Sequence, residues 1–287
     1  MLRFCSGNLL FKIRFLRLAR QPKLRFYLHL ARTKFRCGNN GCSLFLYTFI
    51  FARDLLASIR EPPLKSRLLS PRWHSISGLS MSVFSLKVVI KNLQSCLEDE
   101  DDLDMDSYIV AYRELSKFFE DLGSLFGFIN SDVKSKLDIL EAYRKSDDVG
   151  GNYETLNTMI EYEKDAGTIA DTKKPSGSRT LLRLHRALEF IAALFKAISG
   201  ANDDASVGKM AQESYDKTLA KHHPWLIRKG ASLAMLTLPK VEEIFAKALP
   251  DEKKDLRQLV TSVSEEAYKV YNFTQSIYEQ NNLLDLP

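Results

Sequence analysis

Cysteine is scarce and unevenly placed. The chain of 287 residues has four, and three of them (Cys5, Cys37 and Cys42) lie in the first 80 residues. The remainder has Cys96 alone, which excludes a disulfide-stapled secreted fold and suits a reducing compartment. The stretch "CGNNGC" (Cys37–Cys42) lacks zinc-knuckle spacing and has no second cysteine pair, so no metal site is expected. Acidic residues are nearly missing from the same segment. Residues 1–80 hold 15 Lys and Arg but only Asp54 and Glu61, leaving 26 basic and 34 acidic residues for 81–287. Two different kinds of polypeptide therefore meet near Met81. Long hydrophobic runs are also absent. The longest, "CSLFLYTFIFA" (Cys42–Ala52), has 11 residues where a spanning helix needs about 20.

The basic, Arg- and Phe-rich segment 1–80 fits an organelle transit peptide. It equally fits a translated region upstream of a start at Met81. Its charge alone would allow a nucleic-acid arm, but its aromatic residues follow no nucleic-acid-binding pattern, and no nucleic-acid partner is expected.

From Ser82 onward there is no alternating strand pattern and no repeat of 20–50 residues, which excludes a solenoid. Helical periodicity instead predicts helices over about 83–97, 106–128, 130–146, 152–167, 178–199, 204–221, 224–236, 239–248 and 251–280. Stretches such as "EDEDDLD" (Glu98–Asp104), "DDVGGN" (Asp147–Asn152) and "DTKKPSG" (Asp171–Gly177) separate them. The expectation is one all-α domain over 81–287, preceded by the extension.

The stretch "SGSRTLLRLHRAL" (Ser176–Leu188) opens the most informative helix. At 100° per residue, Arg183 lies about 40° from Arg179, and Arg186 about 20° to the other side. Three guanidinium groups thus share one stripe. Phe190, Leu194 and Ala197 continue it, while Leu181, Leu184, Leu188, Ile191 and Phe195 occupy the opposite face. The second half of the helix should be buried. The helix N-terminus would add free amide hydrogens for an anion. Alternatively, the arginines pair with carboxylates on neighbouring helices, Arg186 being the one most suited to a structural role.

Two other groups stand at the edge of apolar surface. Asp132 and Lys136 are spaced i, i+4 within a stripe of Leu125, Ile129, Ile139 and Tyr143. An ordinary surface ion pair explains them unless the stripe is buried. His223 precedes Pro224 and Trp225 at a helix entrance, with Pro224 placed at the first helical position. Trp225 with Arg228 and Lys229 suits a membrane interface, or a core tryptophan beside a solvated basic turn. Paired arginines and a lysine suit phosphate, a carboxylate accepts from an amide or hydroxyl, and an imidazole donates to a carbonyl. The ligand so described is an amphiphile with an anionic head. No G-x-S-x-G elbow, metal cluster or cysteine nucleophile supports an enzyme.

The segments "SDVKSKL", "RTLLRLHRAL", "HHPW" and "NNLLDLP", in this order, resemble the glycolipid transfer protein superfamily over about residues 84–287. The resemblance is nearest to the branch that transfers ceramide 1-phosphate, and to the plant accelerated-cell-death sphingolipid transfer proteins. It implies an all-α two-layer sandwich enclosing an apolar lipid pocket, no cofactor, and non-vesicular transfer by a cytosolic monomer touching membranes transiently. Asp132 would then accept from the sphingoid amide and hydroxyl. Lys136, Arg179 and Arg183 would hold the phosphate, and His223 would contact the amide oxygen. Phe126, Leu226 and Met235 would line the chain pocket, and Trp225, Arg228 and Lys229 would meet the membrane. Glycolipid-type members carry a sugar-stacking tryptophan where this chain has Arg183, so the resemblance implies a phosphate reader. A carrier, a sensor of the same lipid linked to cell death, and a glycolipid carrier remain the readings to be separated.

Overall fold

The computed structural model describes residues 84–99, 101–122, 124–248 and 255–287. The expectations for residues 1–80, including the run Cys42–Ala52, lie outside them. Among the described residues the regular elements are helices, and β-type pairing is limited to two isolated bridges, Asp104 with Thr155 and Ser206 with Lys240. The helices are α1 (Leu86–Ser95), α2 (Met105–Asp121), α3 (Ser124–Arg144), α4 (Leu156–Asp165) and α5 (Gly177–Ser199), then α6 (Val207–Lys217), α7 (Trp225–Met235), α8 (Val241–Ala248) and α9 (Leu256–Gln280). Short 3-10 turns, Gly150–Tyr153 and Leu219–His222, precede α4 and α7.

The starts follow from side-chain capping of free amides. Asp104 accepts from Ser107 N at α2, Thr155 and Thr158 form a reciprocal box at α4, and Ser206 caps α6. Several boundaries differ from the periodicity. The break expected near residue 129 does not occur there: α3 runs unbroken through Gly127, whose missing side chain faces open space. Glycine inside a helix costs about 1 kcal/mol relative to alanine, too little to end one that packs on its neighbours. The helix expected from residue 152 splits into a 3-10 turn and α4, and the helix expected over 204–221 splits into α6 and a second 3-10 turn. Pro224 is the residue before α7, one position earlier than expected.

The long helix α5 packs most extensively along α9, and also on α3, α4 and α6. Helix α1 packs on both α2 and α9. Leu181, Leu182, Leu184, Leu188, Ile191, Phe195 and Ile198 of α5 are buried, so its lower half is enclosed as its composition requires. A group of buried tyrosines ties the bundle together through carbonyls: Tyr112 donates to Leu184 O, and Tyr278 to Ser178 O at 2.7 Å. The effect is to leave the arginine-bearing first half of α5 on a rigid frame, facing α3, α6 and the segment after α9.

Candidate functional site

The N-terminus of α5 is firmly built. Ser176 Oγ accepts from Arg179 N at 3.1 Å. The Glu163 carboxylate, 1% exposed, accepts from Gly177 N at 2.5 Å, Ser178 N at 3.0 Å and the Tyr153 hydroxyl at 3.1 Å. This corrects the expectation that the helix N-terminus offers free amides to an anion. Those amides are already held by a buried carboxylate of α4 that periodicity could not reveal. Any anion must be taken by side chains.

Those side chains are available. Arg183 and Arg186 are half-buried, and Arg179 Nε is buried with no hydrogen-bond partner. Among the described residues, no side-chain carboxylate lies within ion-pairing distance of Arg179, Arg183 or Arg186, although Asp132 and Asp285 act on Arg183 and Arg186 from further away. The pairing alternative therefore does not account for the stripe. Arg183 Nη1 donates to Arg179 O at 2.8 Å, and Nη2 donates to the main-chain oxygen of Pro287. Arg186 Nη2 donates to Leu284 O at 2.5 Å, a main-chain partner in place of the carboxylate expected in the structural alternative. Burial, then the neighbouring charges of Arg179 and Arg186, lower the Arg183 guanidinium to about 10, while Asp132 acts in the opposite sense. This is a partly desolvated cation crowded by like charge, which an external anion would relieve.

The other predicted residues gather at the same place. Lys136 donates to Asp132 Oδ2 at 2.6 Å. Lys136 is mostly buried while Asp132 is mostly exposed, so the carboxylate keeps a free edge. His223 is half-buried; burial lowers its basicity, opposed by Asp132 and reinforced by Lys136 and Arg186. Its Nδ1 lies 2.8 Å from the hydroxyl of Tyr215. Thus α3, α5 and the turn before α7 bring an acceptor, several fixed cations and an imidazole into one electrostatic neighbourhood. Tyr215 was missed because nothing in the spacing of α6 marks it: it reads as one more apolar-face aromatic. The segment holding Leu284 and Pro287 was marked by the resemblance, but their part was not, because they act through main-chain oxygens.

The apolar candidates divide. Phe126 and Met235 are buried, at 6% and 4% exposed. Leu226 is 43% exposed beside Trp225 at 58% and Ile227 at 43%, so it belongs to the outer surface and not to the interior. That surface of α7 also includes Leu233 and Leu236, the latter 79% exposed, and Arg228 and Lys229 are exposed on the same helix. Among the described residues, no helix is long and apolar enough to cross a membrane, and no group of His, Cys, Asp or Glu could hold a metal ion.

The all-helical frame is shared with a known family. The family model described as Glycolipid transfer protein (GLTP) matches residues 103–250. The chain belongs to this family. Ceramide-1-phosphate transfer protein of Xenopus laevis is 35% identical over 209 residues, covering 71% of this chain and 97% of that protein. The crystal structure of the human ceramide-1-phosphate transfer protein in complex with 2:0 ceramide-1-phosphate is similar at a TM-score of 0.65. It is 32% identical, covering 72% of this chain and all of that one. The ACD11 homolog protein of Arabidopsis thaliana is 25% identical over 210 residues, 72% of this chain and 86% of its own. The all-α expectation and the expected branch, plant relatives included, agree with these findings.

Proposed function

We propose that this protein takes up ceramide 1-phosphate and carries it between membranes. The observation that carries this reading is the arginine stripe of α5, partly desolvated and with no side-chain carboxylate in ion-pairing distance among the described residues. Relatives named as ceramide-1-phosphate transfer proteins, 35% identical over most of their length, support the same ligand. Arg179, Arg183 and Lys136 hold the phosphate. Asp132 accepts from the sphingoid amide and hydroxyl, and His223 donates to the amide carbonyl. The chains enter the interior near Phe126 and Met235. Trp225, Leu226, Arg228 and Lys229 meet the membrane while the lipid moves.

No bond is broken in this reading. The interior replaces the apolar environment of the bilayer, and the cations replace headgroup solvation. The protein acts as a cytosolic monomer, and residues 1–80 form a separate segment that bears on location. A chain lacking them should keep its near-UV circular dichroism and its transfer rate; a molten or insoluble product would make the extension part of the fold.

The test is vesicle-to-vesicle transfer by the full chain of ceramide 1-phosphate, a neutral glycosylceramide and phosphatidic acid. Selective movement of ceramide 1-phosphate is expected. Equal movement of glycosylceramide would contradict the phosphate site, and saturable binding without transfer would replace the carrier with a sensor.

A further inference from the structure

The reading of His223 above requires its Nε2 to carry the hydrogen, and a neutral imidazole has two tautomers. The structure contains a group that chooses between them. Tyr215 of α6 is 2% exposed, and its hydroxyl has a single partner among the described residues, His223 Nδ1 at 2.8 Å. A phenol hydroxyl in the interior needs an acceptor for its one proton. If Nδ1 carried a hydrogen it would donate to the tyrosine oxygen, and the hydroxyl proton would have nowhere to go. If Nδ1 is bare, the hydroxyl donates to it and both groups are satisfied. Phe190 of α5 meets the Tyr215 ring edge-on, 6.2 Å between centroids, which holds the ring in place. The charges that reach His223 are Asp132 and Lys136 from α3 and Arg186 from α5; the two cations and burial oppose a further positive charge there.

We propose that Tyr215 is a positioning residue for the ligand site: its hydroxyl, donating to His223 Nδ1, holds the imidazole as the Nε2–H tautomer and in one ring orientation, so that Nε2 is presented as a donor to the amide carbonyl of the bound sphingolipid. This rests on the carrier reading for the ligand, but the link between the two side chains stands independently of it. Without the hydroxyl, the ring is free to rotate and to exchange tautomers, and the donor is offered only part of the time.

The experiment uses the full chain labelled with nitrogen-15 histidine, the His223 signals being assigned by their loss in His223→Leu. Wild type should show a bare Nδ1 and a protonated Nε2. Tyr215→Phe, which keeps the ring and its packing, should shift both nitrogens towards a mixture. Ceramide 1-phosphate transfer should fall about tenfold, the loss of roughly one ligand hydrogen bond. The same change on a His223→Leu background should have no further effect. A protonated Nδ1 in the wild type overturns the proposal, as does Tyr215→Phe with unaltered shifts, or an equal loss of transfer on both backgrounds. Wild type that moves no ceramide 1-phosphate but shows the Nε2–H spectrum overturns the carrier reading and leaves the tautomer assignment standing.

Discussion

Glu163 accepts the main-chain hydrogen of Gly177 at 2.5 Å, joining the end of α4 to the start of α5. Its other oxygen accepts from Ser178 at 3.0 Å, so both carboxylate oxygens are committed. Replacing Glu163 with Gln would turn an NH2 group towards one of these amides, donor against donor. The cost should be about 2 kcal/mol, read as a lower urea midpoint with an unchanged slope. Gly177→Ala should cost a similar amount, about 1–3 kcal/mol, because a Cβ there would lie 2.5 Å from Met159 Sδ and 2.9 Å from the Tyr153 ring. An unchanged midpoint in both variants would mean that this junction does not anchor the arginine helix.

Arg183 sits in the opposite situation, held in place but electrostatically unfavourable. Its guanidinium is half-buried beside Arg179 and Arg186, bonded to Arg179 O and to the oxygen of Pro287 at the end of the chain, with Asp132 acting in its favour. Arg183→Leu removes repulsion and two hydrogen bonds together, and leucine is a good helix former. Thermal stability of the ligand-free protein should change little, by roughly 1 kcal/mol in either direction. Transfer of ceramide 1-phosphate should fall by roughly one to two orders of magnitude, the loss of a charge-assisted pair of bonds. Undiminished transfer would remove Arg183 from the headgroup site.

Much of this was legible because it depends on periodicity. Arg179, Arg183 and Arg186 fall on one stripe of any helix through "RTLLRLHRAL", and the buried half of α5 follows from its apolar circumference. The i, i+4 relation of Asp132 and Lys136 became an actual bond for the same reason. What stayed hidden depends on contacts between elements. Nothing local in α4 says that Glu163 will plug the amides of α5, and so the helix terminus was misread as free. Nothing in α6 singles out the Tyr215 hydroxyl from other buried aromatics. Leu226 was misassigned because a leucine beside a tryptophan reads equally as core or as surface, and only the packing of α7 decides.

His185 predicts a pH dependence of stability. It is 1% exposed, its ring stacks on Tyr271 with centroids 4.5 Å apart, and its Nε2 meets Gln275 Oε1 at 2.7 Å. Burial, with smaller contributions from Arg186 and His222, lowers its pKa from 6.5 to about 4, against the opposing bond to Gln275. The folded state therefore takes up the proton less readily than the unfolded chain. Stability is complete above pH 6.5, declines as pH falls towards 4, and levels off below. The decline should be on the order of 3 kcal/mol. Urea unfolding at pH 7.0, 5.5 and 4.5 would follow it, and His185→Phe, which keeps the stack, should remove the larger part of the slope and leave a smaller part from the less buried His222 and His223, whose pKa values are also lowered. A slope that survives the substitution undiminished would assign the acid sensitivity to other groups.

In the proposed carrier reading, Trp225 is the emitter that would report on membrane contact. The chain has two tryptophans, Trp73 and Trp225, and a Trp73→Phe protein leaves Trp225 alone. At 58% exposed in water, with Leu226, Ile227, Leu233 and Leu236 also exposed, it should emit at long wavelength. Vesicles should shift that emission to the blue as the ring enters the interface, where tryptophan places its apolar body inwards and its N–H outwards. Arg228 and Lys229 on the same helix should make the shift larger for anionic vesicles, and salt should reduce that part by screening. Burying a ring of this size is worth roughly 2 kcal/mol, so Trp225→Ala should weaken vesicle binding about thirtyfold. Binding of a soluble short-chain ceramide 1-phosphate should be unchanged, since the role proposed for Trp225 is at the membrane alone. A spectrum that ignores vesicles would move the membrane contact away from α7. Equal loss of soluble-lipid binding would instead make Trp225 part of the ligand site.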